Sequence, residues 1–359
     1  GLGYEALKEN TTGTQNVAVG ADALAANTTA SNNTALGRSA LGANTTGTQN
    51  VAVGANALDA NTTAGENTAV GYNALTTNTE GIENTGVGRQ ALQFNTTGDF
   101  NSSLGVNSLR DNTTADNNTG IGHSALKVNT TGTRNTAVGA NSGDANTTGD
   151  FNTSIGYNSL TANTTADANT ALGYKTLEFN TTGTSNVAVG SYALDANTTA
   201  SNNTAIGEAS LGANTTGASN VAVGKDSLLL NTTGGSNVAI GDIAMRDNTT
   251  ASDNTAVGRA ALHLNTTGAN NTAIGRGALA NSTTASNNTA VGRSALAANT
   301  TGQNNTAIGI EALDANTHAS NNTAVGSAAL GVNTTGSENV AIGSLALDAS
   351  NTAVDCVAI

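Results

Sequence analysis

Proline and tryptophan are absent from this 359-residue chain, cysteine and methionine occur once each, and only 3% of residues are aromatic and 10% charged. Each shortage excludes something. With so few large side chains, the chain cannot fill the two or three compact cores that its length would otherwise suggest. A single cysteine, Cys356, rules out an internal disulfide framework and a cysteine-rich metal site. No apolar run approaches the ~20 residues of a membrane-spanning helix. Lack of proline and of charge also argues against disorder, which favours both. The net charge of −13 is scattered rather than clustered, so nucleic acid and an anionic membrane surface are disfavoured as partners. The chain opens inside a repeat, without Met or a visible signal peptide, and is expected to be a mature fragment or the ordered part of a larger protein.

What the chain does contain is periodic. The motif N-[TV]-A-[VIL]-G places an asparagine at Asn16, Asn33, Asn50 and onward to Asn339, giving 20 copies spaced 17 residues apart without insertion. Counting from that asparagine as position 0, position 3 is always aliphatic and position 4 always glycine. Position 8 is leucine in all but two repeats, Gly143 and Met245 being the exceptions. Position 2 is alanine, glycine or serine, and positions 11 to 13 read Asn-Thr-Thr apart from changes such as Glu80, Ser282 and His318.

A helical solenoid needs two helices and about 30 residues per repeat. Seventeen residues rich in glycine, asparagine and threonine are too few, and of the wrong kind, for helix interiors. The pattern instead predicts an all-β fold, a parallel β-solenoid (a β-roll or β-helix) with one coil per repeat. Positions 0 to 4 alternate as a short strand, and Gly20, Gly37, Gly54 and Gly71 are expected to turn the chain where a positive φ or a close backbone approach is required. A second short strand is expected around position 8, with Asn-Thr-Thr turning the chain back. Residues 1–343 read as one continuous solenoid and 344–359 as an atypical terminal coil or cap, in which Asn351-Thr352-Ala353-Val354 arrives early and Asp355 stands where glycine is expected.

Coils stacked in register put like residues ~4.8 Å apart, so that twenty of them predict a rod on the order of 100 Å. The expected interior stripes are Val19, Leu36, Val53 and Val70 at position 3, with Leu24, Leu41, Leu58 and Leu75 at position 8. Asparagine ladders are expected at Asn16, Asn33 and Asn50 and at Asn27, Asn44 and Asn61. Two large aliphatics per coil are little to offset the ordering of a whole coil, so lateral association of identical rods is expected. The small residue at position 2 would either permit that approach or simply fit a tight coil.

The phrases NVAVG (Asn16 to Gly20, Asn50 to Gly54, Asn186 to Gly190) and NTAIG (Asn203 to Gly207, Asn271 to Gly275) resemble the head repeats of trimeric autotransporter adhesins. The longer NTTGTQNVAVGANAL, Asn44 to Leu58, is similar to repeats of phage-tail-fibre-like surface proteins that often end in an endosialidase-type chaperone domain. The resemblance implies a left-handed parallel β-roll, three chains side by side, displayed outside a cell or virion. The adhesin heads use a shorter repeat, and no chaperone domain, stalk or membrane anchor is present in this sequence.

No catalytic constellation is evident, and no cofactor is expected. His123, His263 and His318 lie on separate repeats, and neither a phosphate-binding loop nor the calcium-binding Gly-Gly-x-Gly-x-Asp repeat occurs. Clusters such as Asp116-Asn117-Asn118 read as turn residues. Every Asn-Thr-Thr is formally a glycosylation acceptor, including Asn10, Asn27, Asn44 and Asn61, but a ladder would occupy these amides. Asn32, Asn117, Asn202, Asn287 and Asn321, each preceding a ladder asparagine, are the more accessible acceptors. The expected function is mechanical: the shaft of an extracellular or surface fibre or adhesin, its partners further copies of itself as a homotrimer or an end-to-end filament. The alternatives are a glycan-coated filament subunit and a solenoid that binds ice or surface glycans through its Asn/Thr face.

Overall fold

A computed structural model describes residues 1–349 and 351–359. They form two compact units, Gly1–Thr182 and Gly183–Ile359. Each unit is a parallel β-solenoid. The first holds ten strands, β1 (Val17–Val19) to β10 (Thr170–Leu172), and the second eleven, β11 (Val187–Val189) to β21 (Val357–Ala358). Within each unit successive strands pair in parallel with a register of 17 residues, as in Val17↔Thr34, Ala18↔Ala35 and Val19↔Leu36. The described residues contain no helix.

One coil shows the local logic. After the strand Thr34–Leu36, Gly37 adopts φ +142°. A β-carbon there would lie 2.5 Å from the carbonyl oxygen of Gly54 in the next coil, closer than any real side chain approaches its neighbour. Two tight turns follow, closed by Ala40 N–H donating to Gly37 O (3.4 Å) and Asn44 N–H donating to Leu41 O (3.2 Å). Ser39 and Leu41 take φ of +54° and +52°. A left-handed leucine costs roughly 1–2 kcal/mol, and here complete burial of its side chain offsets that strain.

The second strand expected around position 8 is therefore absent, replaced by these turns. Coils are nevertheless bonded around the circumference: Thr34 N–H donates to Asn50 O (2.8 Å), Leu41 N–H to Ala57 O (3.0 Å) and Thr45 N–H to Thr62 O (2.9 Å).

The interior also differs from the expectation. Leu24, Leu41, Leu58 and Leu75 are fully buried, but the residues packed with them are alanines at positions 2 and 7, such as Ala35, Ala40, Ala52 and Ala57. The aliphatics at position 3 point outward. Val19, Val53 and Val70 are only half-buried, and Leu36 is 47% exposed. The strand is thus turned over relative to the sequence reading, with Asn and Ala inside and Thr/Val and Val/Ile/Leu outside. Position 2 is small because it lies inside a tight coil, which removes alanine as the surface for lateral approach.

The last coil keeps the common register. Asn351 O accepts from Thr334 N–H (3.0 Å), Ala353 O accepts from Asn339 Nδ2 (2.6 Å), and Val357 pairs with Val340. The expected early arrival of Asn351–Val354 does not occur. These residues form the corner, and Asp355, at φ +56°, stands where other coils place Asn32 or Gln49. Cys356 occupies the ladder position, its N–H donating to Asn339 Oδ1 (3.0 Å).

Candidate functional site

Two asparagine ladders hold each coil closed and fasten it to its neighbours. At position 11, Asn44 Nδ2 donates to Asn27 Oδ1 of the preceding coil (3.1 Å) and to Gly47 O three residues ahead (3.0 Å). At position 0, Asn33 Nδ2 donates to the same Gly47 O (2.8 Å), while its Oδ1 accepts the backbone N–H of Asn50 (2.9 Å). One carbonyl thus receives both amides of its coil. Asn27, Asn33, Asn44, Asn50 and Asn61 are completely buried, whereas Asn16 is partly buried. Ordinary cores are apolar because an unpaired buried amide costs about 1–3 kcal/mol. Here almost every amide is paired, so the polar ladder stabilises the interior.

The ladder decides which formal glycosylation acceptors are available. The amides of Asn27, Asn44 and Asn61 are inside the coil and committed to bonds. Asn32, Asn117, Asn202, Asn287 and Asn321 are exposed, with φ of +59° to +63°. Asn270 and Asn304 carry the same Asn-Asn-Thr signal at the same exposed position, and belong with these five. Of the paired threonines, Thr28 donates its hydroxyl to Thr45 O (3.1 Å) and is half-buried, while the second of the pair, Thr29, is exposed.

The other repeated surface is the outward face of the strands. From Val189 to Ile342, position 3 alternates between valine and isoleucine, with Ile206, Ile240, Ile274, Ile308 and Ile342 each 40–42% exposed. Beside them run the valines and threonines of position 1. The result is a sheet face carrying an exposed aliphatic rank that no part of its own unit fully covers.

The three histidines are not brought together. His263 Nδ1 lies 3.1 Å from Ile243 O, and His318 Nδ1 lies 3.1 Å from the hydroxyls of both Thr300 and Thr301. The Asp116 carboxylate accepts the backbone N–H of Asp99 (2.8 Å), and Asn118 is a buried ladder residue. Among the described residues no group of three or more His, Cys, Asp or Glu is placed to hold a metal ion, and no helix is long and apolar enough to cross a membrane. Three aspartates at position 9, Asp59, Asp144 and Asp314, are held above the usual carboxylate range by burial, with the negative charge of Glu311 adding to the effect at Asp314. Comparison with protein-family models and with curated proteins finds no match to either.

Proposed function

We propose that this chain is a structural, non-enzymatic repeat protein, the shaft of an extracellular fibre or adhesin, in which identical chains associate side by side as a homotrimer. The observation that carries this reading is the outward apolar face. A rank of aliphatics recurs at position 3 in every coil, half-exposed, on the outward face of the strands. Single chains rarely leave a contiguous apolar patch of more than a few hundred Å² in water. The alternation of valine and isoleucine along the second unit gives the face a ridge-and-hollow relief suited to interdigitation. Absence of inserted loops supports the same reading, since a shaft needs uniform stacking and a catalytic pocket needs exceptions.

Native mass spectrometry of the purified chain tests this. A mass three times that of the chain supports the trimeric shaft, and a single-chain mass at micromolar concentration refutes it. The exposed asparagines favour a second reading, a glycan-coated filament. That reading requires a carbohydrate excess on the denatured chain and a ladder of high native masses.

A further inference from the structure

The second unit carries five lysines and arginines against eleven aspartates and glutamates, yet three of those five cations stand in one column. Arg259, Arg276 and Arg293 occupy position 5 of three successive coils. Like charges stacked at the spacing of neighbouring strands repel. The outer two are compensated from outside the column. Arg259 Nε pairs with Asp242 Oδ2 (3.2 Å), and an Arg293 guanidinium nitrogen pairs with Glu311 Oε1 (2.7 Å). The middle residue, Arg276, makes no ion pair and no side-chain hydrogen bond among the described residues.

These arginines border a notch of about 310 Å³ floored by Ala280 and Ala297. Gly277 opens it. At this position other coils carry side chains such as Asp226 or Asn158. Gly277 has φ +69°, and a β-carbon added to it would meet nothing nearer than the Ser294 hydroxyl at 3.9 Å. The space beside Arg276 is open because small residues line it in three coils, Ala260, Gly277 and Ser294 together with Ala280 and Ala297.

We propose that this notch binds a single tetrahedral oxoanion, a phosphate or sulfate group, either free or as the monoester of a small polar molecule. Guanidinium groups present paired N–H donors in a plane that matches such an anion. One anion seated at Arg276 compensates the unpaired cation and relieves repulsion within the column. Surplus negative charge over the rest of the unit repels a long polyanion but not one small group. The notch is also at the small end of the range for ligand pockets.

The test is calorimetric titration of the whole chain with inorganic phosphate, inorganic sulfate and glycerol phosphate at constant ionic strength. Saturable binding of one ion per chain is expected, weakened at least about tenfold by Arg276→Gln. Gly277→Asn, which tolerates the left-handed backbone and fills the notch, is expected to weaken it similarly. Asp242→Asn combined with Glu311→Gln frees the outer arginines and is expected to tighten it several-fold. Tighter binding of glycerol phosphate than of the free ion assigns the site to an esterified carrier, and equal binding assigns it to the ion itself. Circular dichroism of the variants separates loss of the site from loss of folding. No saturable binding of either inorganic ion, binding indifferent to Arg276→Gln in the folded variant, or a response to heparin alone would each overturn the proposal.

Discussion

At the residue scale, each invariant position answers to a distance. Gly37 is glycine because a β-carbon would collide with the Gly54 carbonyl of the next coil and because its φ is +142°. Gly37→Ala is therefore expected to cost about 3 kcal/mol or more. Leu36→Ser, one residue earlier but outward, should change the stability of the isolated chain by under about 1 kcal/mol. Denaturant titration of both variants checks the ordering, and equal costs would contradict the orientation of the strand. Ser282 supplies the opposite case. It replaces a ladder asparagine, leaving its own hydroxyl and the Asn265 Oδ1 of the preceding coil buried without partners. Ser282→Asn restores the donor that Asn265 lacks and is expected to raise stability by about 1–2 kcal/mol. An unchanged denaturation midpoint would show that the gap in the ladder carries no penalty.

At the element scale, the unit is the coil, one short strand and two tight turns. The second turn carries Asp59, Asp144 and Asp314 half-buried, and burial raises the pKa of each above the ordinary value of 3.8. A carboxyl group that holds its proton more tightly when folded favours the folded state while protonated. That contribution is fully present below the unfolded value of 3.8 and is lost as pH rises through the folded value. At neutral pH these aspartates are therefore a liability. Replacing all three by asparagine should raise the denaturation midpoint at pH 7 and leave it unchanged below the ordinary aspartate value. A gain of equal size at both pH values would place its origin in packing rather than ionisation. The surface ion pairs offer no comparable lever, since pairs as exposed as Lys225–Glu208 contribute little.

At the scale of the whole molecule, repeats that touch only their neighbours gain stability roughly as a sum of coil and interface contributions. Function then depends on what the repeated faces meet. Ile240→Asp together with Ile274→Asp places two charges on the outward rank without touching the Leu and Ala interior. If copies associate through that face, the native mass should fall to that of one chain while the circular dichroism spectrum stays unchanged. Association that survives the double substitution would move the interface elsewhere on the coil.

The period, the glycine turn, the buried leucine and both asparagine ladders were all legible in the sequence, because each recurs at a spacing of 17 with few exceptions, such as Gly143, Met245 and Ser282. The sequence could not say which way the strand faces. Asn-Thr-Ala-Val alternates equally well with either parity, and shifting by one residue exchanges the two faces. Hydrophobicity alone argues for valine inside. Closure of the coil decides otherwise: with Leu41 buried and two amides converging on the Gly47 carbonyl, the inward position is held by small side chains, Ala35 here and Ser103 or Ser154 in other coils. The same closure sets the notch beside Arg276. A column of arginines can be read from the spacing of 17, but the empty space next to it exists only once Gly277, Ala280 and Ala297 are folded onto one wall.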